Sequence, residues 1–233
     1  MTSIDVVYLA GGEGIRAGLG YPKQFYRLGG KPILVHGLET LRKIDMIGDI
    51  LIPCADEGYI YKICKDFNIQ GIRPVCAGAT RQTSVYNGIT ETLTPFVIIM
   101  EAVRPFITEE LIRKVIETDG EAVTPVKKNI STPLSIIEVG DQIFVHPLSR
   151  GSVGEVQMPQ KFNNKLLLRA HRRALSNNRI DYSDDVALLH SEFGKHARYV
   201  DGIEENIKVT SPLDLVVAEA IYNSLHGVKG ERE

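Results

Sequence analysis

Apolar runs alternate with amphipathic stretches through the first half of the chain. Continuous apolar runs of strand length predict buried strands, and apolar residues spaced three and four apart predict helices. The predicted strands are Ile4–Ala10, Asp49–Cys54, Ile72–Cys76 and Phe96–Met100, and the predicted helices are Ile33–Ile44, Gly58–Phe67, Thr83–Leu93 and Glu109–Thr118. This alternation predicts an α/β fold, a Rossmann-like, mostly parallel sheet with helices on both faces.

The pattern changes near Lys127. From there to Arg150 no helical spacing occurs, and two short β-type runs, Ser135–Val139 and Gln142–Val145, flank the turn signal Gly140-Asp141. Such a pattern is typical of a hairpin. We interpret residues 127–150 as a β-arm that protrudes from the sheet.

Helical spacing returns after the predicted arm. The elements predicted there are helices at Asn164–Ser176 and Asp184–Phe193, short strands at Arg198–Val200 and Ile207–Val209, and a closing helix at Pro212–Ser224 with Ser211 as its N-cap. The sequence therefore predicts one domain over residues 1–233 that carries the arm.

Composition limits the functional classes. The net charge of −2 excludes a global basic field that would draw the chain onto nucleic acid or anionic lipid. No stretch approaches the roughly 18 apolar residues that a membrane span needs. The chain begins with a strand-like run and no basic leader, which predicts a cytoplasmic protein. Three cysteines at positions without metal-ligand spacing are expected to be small buried residues.

The loop after the first strand is rich in glycine. Small residues from Ala10 to Gly14 let backbone N–H groups approach a phosphate or a base closely. Further glycines and Pro22 prevent a helix from opening directly, as a dinucleotide-binding fingerprint requires. The loop instead carries two cations, Arg16 and Lys23, which suits the binding of a triphosphate. The alternative is a surface loop with incidental charges.

Five ordered motifs carry a resemblance to a known family over nearly the whole chain. They are Leu9–Arg16 followed by Pro22–Phe25, Gly30–Ile33 and His36; Gly78–Val85 with Asn87-Gly88; Ala102–Phe106; Pro159-Gln160 with Phe162; and Asn206–Thr210 with Pro212 and Asp214-Leu215. Together they resemble the 2-C-methyl-D-erythritol 4-phosphate cytidylyltransferases of isoprenoid biosynthesis, and equally their relatives, the ribitol-5-phosphate cytidylyltransferases. The resemblance implies a fold of the nucleotide-diphospho-sugar transferase type.

The reaction that the resemblance implies joins CTP to a small phosphorylated polyol. An oxygen of the acceptor phosphate attacks the α-phosphorus of CTP, and pyrophosphate leaves. The acceptor phosphate has a second pKa near ~6, so it needs no strong base at neutral pH. Catalysis then consists of positioning and of stabilising the charge on the reacting phosphates, which calls for lysine and arginine rather than histidine.

The resemblance also implies a role for each matching residue. The implied catalytic cations are Arg16, Lys23 and Lys208; the implied nucleotide-binding residues are Ala10, Gly11, Gly12, Gly14, Gly78, Ser84 and Arg104, with Gly78 and Ser84 at the cytosine. Mg²⁺ is expected on the CTP phosphates, with Glu101 as its candidate ligand. Arg150 matches the family's acceptor-phosphate arginine, which projects on the arm toward a partner subunit's site and implies a homodimer.

Three departures from the family pattern cluster at the metal and the acceptor. Met100-Glu101 stands in place of His-Asp, Lys127-Lys128-Asn129 in place of Arg-Asp-Thr, and Met158 in place of Thr. We interpret Lys128 and Asn129 as residues facing a changed acceptor, while the nucleotide half is retained. Val103 looks more like the ribitol phosphate branch, and a phosphonate acceptor, another nucleotide, or a catalytically weak CTP-binding homologue are the alternatives.

Several charged residues also have simpler interpretations. Arg104 beside Pro105 can be a salt-bridge partner, and Arg81 a solvated helix residue. Asp184 and Asp185 can be an N-cap with first-turn acids, although the family has a similar acidic pair here.

Overall fold

The computed structural model describes residues 3–12 and 19–227. Gly14 and Arg16, both predicted to contact the nucleotide, lie outside the described residues. Within the described ranges the chain forms a mixed α/β fold around a central sheet, which confirms the predicted class.

The centre of the sheet is parallel. Strands β1 (Ile4–Leu9), β4 (Ile47–Cys54), β5 (Ile72–Cys76) and β6 (Phe96–Glu101) lie in the order β6-β1-β4-β5. Each pair of neighbours within this order runs parallel. The strands are almost wholly apolar because helices cover both of their faces.

Helices pack on both sides of this sheet, as predicted. α1 (Ile33–Arg42), α2 (Glu57–Asp66) and α4 (Glu109–Glu117) bury their apolar faces with alternate strand residues such as Val6 and Tyr8. On the opposite face, α3 (Arg81–Thr90), α5 (Asn164–Ser176) and α6 (Asp185–Phe193) pack with Val7 and Ile99. The two-residue period of the strands therefore divides the core into two layers.

Four further strands extend the sheet, and the sequence pattern predicted only the last of them, at Arg198–Val200. β7 (Ala122–Lys128) and β11 (Gln160–Asn163) pair with each other, and β11 also runs antiparallel to β6. β10 (Gly154–Val156) and β12 (Arg198–Asp201) both pair with β7. The sheet therefore has eight strands, in the order β10-β7-β11-β6-β1-β4-β5 with β12 beside β7.

The strand predicted at Ile207–Val209 is wrong. This segment belongs to no strand, and Val209 N–H donates to the carbonyl of Val103 at 2.9 Å. Its apolar side chains pack against α7 (Pro212–His226) rather than in a sheet, because Val209 joins Leu215 and Ala218 in a third core cluster. The alternation of apolar and polar residues in this segment therefore reflects packing against a helix and not pairing in a sheet.

The predicted hairpin is present. β8 (Leu134–Val139) and β9 (Gln142–Pro147) form an antiparallel sheet of their own, separate from the central one. Gly140 adopts a φ of 60° at the turn, which glycine accommodates without strain. A smaller hairpin joins β2 (Arg27–Leu28) to β3 (Lys31–Pro32). Across the described ranges, no helix has the length and apolar character that crossing a membrane requires.

Candidate active site

The candidate site lies where the strand order reverses. From β1 the chain passes to β4 on one side, whereas β6 lies on the other side of β1. Ligands of open α/β sheets bind at such a switch point, beyond the carboxyl ends of the strands. Leu9 and Glu101 are opposite each other in register there, and Ala102 N–H donates to the Leu9 carbonyl at 3.0 Å. The glycine-rich loop therefore begins directly beside Glu101.

The start of the glycine-rich loop is held by a side chain that the sequence analysis did not single out. The buried amide of Gln24 donates from Nε2 to the carbonyls of Ala10 at 2.6 Å and Gly12 at 3.0 Å. Gln24 occupies the short 3-10 turn Lys23–Phe25, so the same turn carries the predicted catalytic Lys23, which is also buried. These two hydrogen bonds therefore hold the start of the glycine-rich loop against the turn that carries Lys23.

The two residues predicted at the cytosine, Gly78 and Ser84, contact each other. Gly78 N–H donates to Ser84 Oγ at 3.0 Å, and a Cβ on Gly78 would lie only 2.3 Å from the Thr83 hydroxyl. Thr80 caps α3, so this helix begins at Arg81, two residues before the predicted start. A Cβ on Gly11 would lie 3.0 Å from the Ala77 Cβ, so the loop after β1 passes close to the loop after β5.

Glu101 is surrounded by cations. Its Oε1 accepts from Lys208 Nζ at 2.6 Å, and its Oε2 accepts from Arg104 Nε at 3.0 Å. Arg81 Nε lies 3.9 Å from the same Oε1 atom. Burial alone would raise the pKa of Glu101, but the charges of Lys208, Arg104 and Arg81 lower it below its ordinary value. Glu101 is therefore ionised and attracts three positively charged side chains.

The members of this cluster differ in their access to a ligand. Arg104 is buried and donates from Nη1 to the Asn206 carbonyl at 2.8 Å, which matches its interpretation as a salt-bridge partner; nucleotide binding by Arg104 stays a prediction. Lys208 keeps 38% of its side chain exposed, so its ammonium group can contact Glu101 and a bound phosphate together. Lys208 is therefore the best placed cation of the cluster to act on a substrate.

A metal ion held by protein side chains does not fit this arrangement. Both oxygens of Glu101 already pair with cations, and a divalent ion there would add to the same positive charge. The described residues contain no group of three histidine, cysteine, aspartate or glutamate side chains that could hold a metal. Glu101 acts here as an ion-pair partner, and we derive no step from a protein-bound metal.

A second buried carboxylate lies behind Arg81. Arg81 Nη2 is 2.9 Å from Asp185 Oδ2, and His171 Nε2 is 3.1 Å from Asp185 Oδ1. Asp184 caps α6, as the N-cap interpretation predicted, because its Oδ1 accepts from Val186 N–H at 2.8 Å. The interpretation of Arg81 as solvated is wrong, because its guanidinium nitrogens are buried. The motif containing Arg81 was recognised, but no signal in the sequence pairs it with Asp185.

The stability of this network should depend on acid pH. Burial would raise the pKa of Asp185, but Arg81 and His171 lower it from 3.8 to about 2. A carboxyl whose folded pKa is depressed stabilises the fold above its unfolded pKa, and the contribution is lost as the pH falls through the folded value. We expect the excess unfolding free energy of the wild type over Asp185→Asn to shrink by about 1 kcal/mol between about pH 5 and about pH 3. Urea unfolding of both proteins measures it; a constant or widening difference would contradict this assignment.

The predicted acceptor residues meet at the base of the arm. Lys128, Asn129 and Arg150 all line a cavity of about 550 Å³, together with Tyr199 and Gly154 of β10. Arg150 Nη2 donates to the Thr132 hydroxyl at 3.0 Å. Lys128 Nζ lies 3.4 Å from Asp201 and 5.9 Å from the centre of the Tyr199 ring.

Comparison with known proteins agrees with this fold. The family model for 2-C-methyl-D-erythritol 4-phosphate cytidylyltransferase matches residues 4–224. The enzyme of that name from Alkaliphilus metalliredigens is 35% identical, with 95% of this chain and 94% of the relative covered, and that from Bacteroides thetaiotaomicron is 32% identical, with 93% and 98% covered.

A solved structure shows the same fold. The 4-diphosphocytidyl-2C-methyl-D-erythritol synthase from Anaerococcus prevotii superposes with a TM-score of 0.83 at 28% identity, with 94% of this chain and 96% of that chain covered. The α/β fold and its relatives thus define the chain as a nucleotidyltransferase. Within that class, it belongs to the 2-C-methyl-D-erythritol 4-phosphate cytidylyltransferase family.

Proposed function

We propose that this chain transfers CMP from CTP to 2-C-methyl-D-erythritol 4-phosphate and releases pyrophosphate. The observation that carries the proposal is the cation cluster around Glu101, which lies at the switch point beside the Ala10–Gly12 loop. The Alkaliphilus and Bacteroides relatives are named for this reaction, and both cover nearly the whole chain.

The proposed reaction needs charge stabilisation more than proton transfer. One oxygen of the acceptor phosphate forms a bond to the α-phosphorus of CTP, and the bond to the departing pyrophosphate breaks. Lys208 and Lys23 supply positive charge for the phosphates, and Arg16 is proposed to do the same. Glu101 holds Lys208 through an ion pair and, because its pKa is lowered, does not serve as a base at neutral pH.

The charges at the base of the arm support methylerythritol phosphate as the acceptor. Lys127 Nζ pairs with Glu204 at 2.7 Å, and Lys128 Nζ with Asp201 at 3.4 Å. The two lysines therefore introduce little net positive charge, although Lys128 stands where the family usually has an acid. This local neutralisation favours the relatives' acceptor over a more acidic one.

Pyrophosphate release from CTP and Mg²⁺ tests the proposal against a panel of acceptors: 2-C-methyl-D-erythritol 4-phosphate, ribitol 5-phosphate, other alditol phosphates and hydroxyalkyl phosphonates. We expect the highest kcat/KM for methylerythritol phosphate. A higher value for ribitol 5-phosphate or a phosphonate would replace the proposed acceptor. Binding of CTP without release from any acceptor would reveal a catalytically weak homologue.

Reversal of the charge at Lys128 should leave acceptor preference nearly unchanged. Lys128 is 79% exposed, and its pair with Asp201 is a surface ion pair, which solvent screens. We expect Lys128→Asp to change the kcat/KM ratio of methylerythritol phosphate to ribitol 5-phosphate by less than about threefold. Lys127→Asp is the matched control at the neighbouring paired lysine. A tenfold change with Lys128→Asp alone would show that Lys128 selects the acceptor.

Two further parts of the proposal concern the metal and the assembly. We propose that Mg²⁺ enters on the CTP phosphates and is not ligated directly by Glu101, whose oxygens pair with Lys208 and Arg104. We also propose a homodimer in which the β8–β9 arm contacts a second copy. The arm's apolar side chains support this, because Ile136 is 72% and Ile143 71% exposed.

A further inference from the structure

A buried chain of charged groups extends from the candidate site into the opposite layer of helices. Glu101 at the end of β6 is followed by Arg81 on α3, Asp185 on α6 and His171 on α5. Asp185 and His171 are each at most 1% exposed, so water does not compete for their contacts. The proposed reaction does not use Arg81, Asp185 or His171, so their arrangement calls for another explanation.

Two cations are directed at one oxygen of Glu101. Lys208 Nζ is 2.6 Å from Oε1, and Arg81 Nε is 3.9 Å from the same atom. Attraction between opposite charges increases as their separation falls, and guanidinium is the stronger competitor for a carboxylate because it binds with two parallel N–H groups. If Arg81 moved closer, it would displace the Lys208 ammonium from Oε1.

Arg81 has few other partners. Its Nη2 atom pairs with Asp185 at 2.9 Å, whereas the buried Nε and Nη1 atoms have no hydrogen-bond acceptor. Buried donors without acceptors are costly, so this guanidinium gains free energy from any closer acceptor. Asp185 opposes a move toward Glu101, and His171 fixes Asp185 from its other side at 3.1 Å.

We propose that Asp185 and Arg81 are positioning residues: Asp185 holds the Arg81 guanidinium back from Glu101, and this keeps Glu101 Oε1 available to Lys208. The position of the Lys208 ammonium is then set from the far side of the sheet. The expected effect on turnover rests on the proposed function. The expected effect on Lys208 itself does not, because it can be measured without substrate.

Asp185→Asn is the first variant. Asparagine keeps the shape of the side chain but removes the charge that holds Arg81, so Arg81 should pair with Glu101 and release Lys208. We expect the rate of Lys208 acylation by an amine-reactive ester, followed by mass spectrometry, to rise severalfold. With CTP and methylerythritol phosphate, kcat should fall at least tenfold at saturating substrate, per folded molecule.

Combining Asp185→Asn with Arg81→Met gives the decisive result. The double variant removes the competing guanidinium together with its partner, which leaves no uncompensated charge in this pair. We expect both Lys208 acylation and kcat to return most of the way toward wild type. A double variant as reactive at Lys208 as Asp185→Asn alone would overturn the proposal.

Glu192→Gln is the matched control. Glu192 is a buried carboxylate on the same helix, and it pairs with Arg173 at 3.3 Å and Arg179 at 3.0 Å, neither of which contacts Glu101. We expect it to lower the free energy of unfolding without changing Lys208 acylation or kcat. If Asp185→Asn behaves in the same way, the network is only structural and the proposal fails.

The acylation result separates this inference from the proposed function. If wild-type protein releases no pyrophosphate with any acceptor, the proposed function fails, whereas a rise in Lys208 acylation in Asp185→Asn and its reversal in the double variant still support the positioning network. If the wild type is active but acylation is equal in all variants, only the positioning network fails.

Discussion

Lys208→Met is expected to lower kcat by about 10²–10³-fold, as the loss of one group that stabilises transition-state charge does. Lys208 is the partly exposed cation of the Glu101 cluster, and methionine keeps much of its length without the charge. The KM for CTP should change by less than kcat, because the ammonium group acts mainly on charge that develops during transfer. Steady-state pyrophosphate release measures both constants.

Lys195→Met is the matched control for this experiment. Lys195 also pairs with a glutamate at 2.6 Å and has a side chain that is 46% exposed. Its partner, however, is Glu121 rather than Glu101. We expect Lys195→Met to leave kcat unchanged. If Lys208→Met retains kcat within a factor of about three while its fold is intact, Lys208 does not stabilise the transition state as proposed.

The alternating half of the fold could be predicted because its signals are local. The runs Ile4–Ala10 and Phe96–Met100 are continuous and apolar, and the helices between the strands have clear apolar faces. The ends differ by at most three residues, for example at α3, where the Thr80 cap sets the start. Local chemistry at the ends of helices moves such boundaries more than the pattern itself does.

The outer strands β7 and β11 could not be predicted because their partners are distant in sequence. β11 is four residues long, and β7 contains Pro125, so neither has a strong strand pattern. Gln160 of β11 is stabilised by Thr124 Oγ1 at 3.0 Å and Asp184 Oδ2 at 2.9 Å, contacts that only the folded chain brings together. Tertiary context therefore determined these strands.

In the candidate site, too, individual residues could be predicted from local motifs, whereas their contacts with distant residues could not. The motifs indicated Glu101, Arg104 and Lys208 as separate residues, and the structure joins them through one carboxylate. Arg81 and Asp185 form an ion pair although they are more than a hundred positions apart in the sequence. From the sequence alone each had only a local interpretation, Arg81 as a solvated helix residue and Asp185 as a first-turn acid. Gln24 was quoted in a motif without a role, because its amide can be assigned only once the carbonyls of Ala10 and Gly12 are in place.

Substitution of Ile136 on the arm by lysine is expected to dissociate the proposed homodimer. Ile136 is opposite Val145 in the hairpin, and their side chains share one face, where they are 72% and 62% exposed. An isolated two-stranded hairpin is only marginally stable in water, and exposed apolar patches mark interaction surfaces. A charge buried in such a contact costs several kcal/mol, so the dimer dissociation constant should rise at least about a hundredfold.

Sedimentation equilibrium measures this change against the 25.8 kDa mass of one chain. Leu93→Lys is the matched control, because Leu93 is an apolar side chain 91% exposed on a loop away from the arm. The Leu93→Lys protein should sediment as the wild type does. A monomeric wild type, or an Ile136→Lys protein that dimerises as tightly, would contradict an interface formed by the arm.

Mixing two inactive variants tests whether the arm also completes the partner's site. We expect Arg150→Ala and Lys208→Met each to damage every site of their own homodimer. If Arg150 acts in the partner subunit's site, each mixed dimer has one site with both defects and one with neither. Random exchange of subunits then restores about a quarter of the wild-type sites, because half of the dimers are mixed. If Arg150 acts in its own subunit, every site keeps one defect, and the mixture stays as inactive as its components.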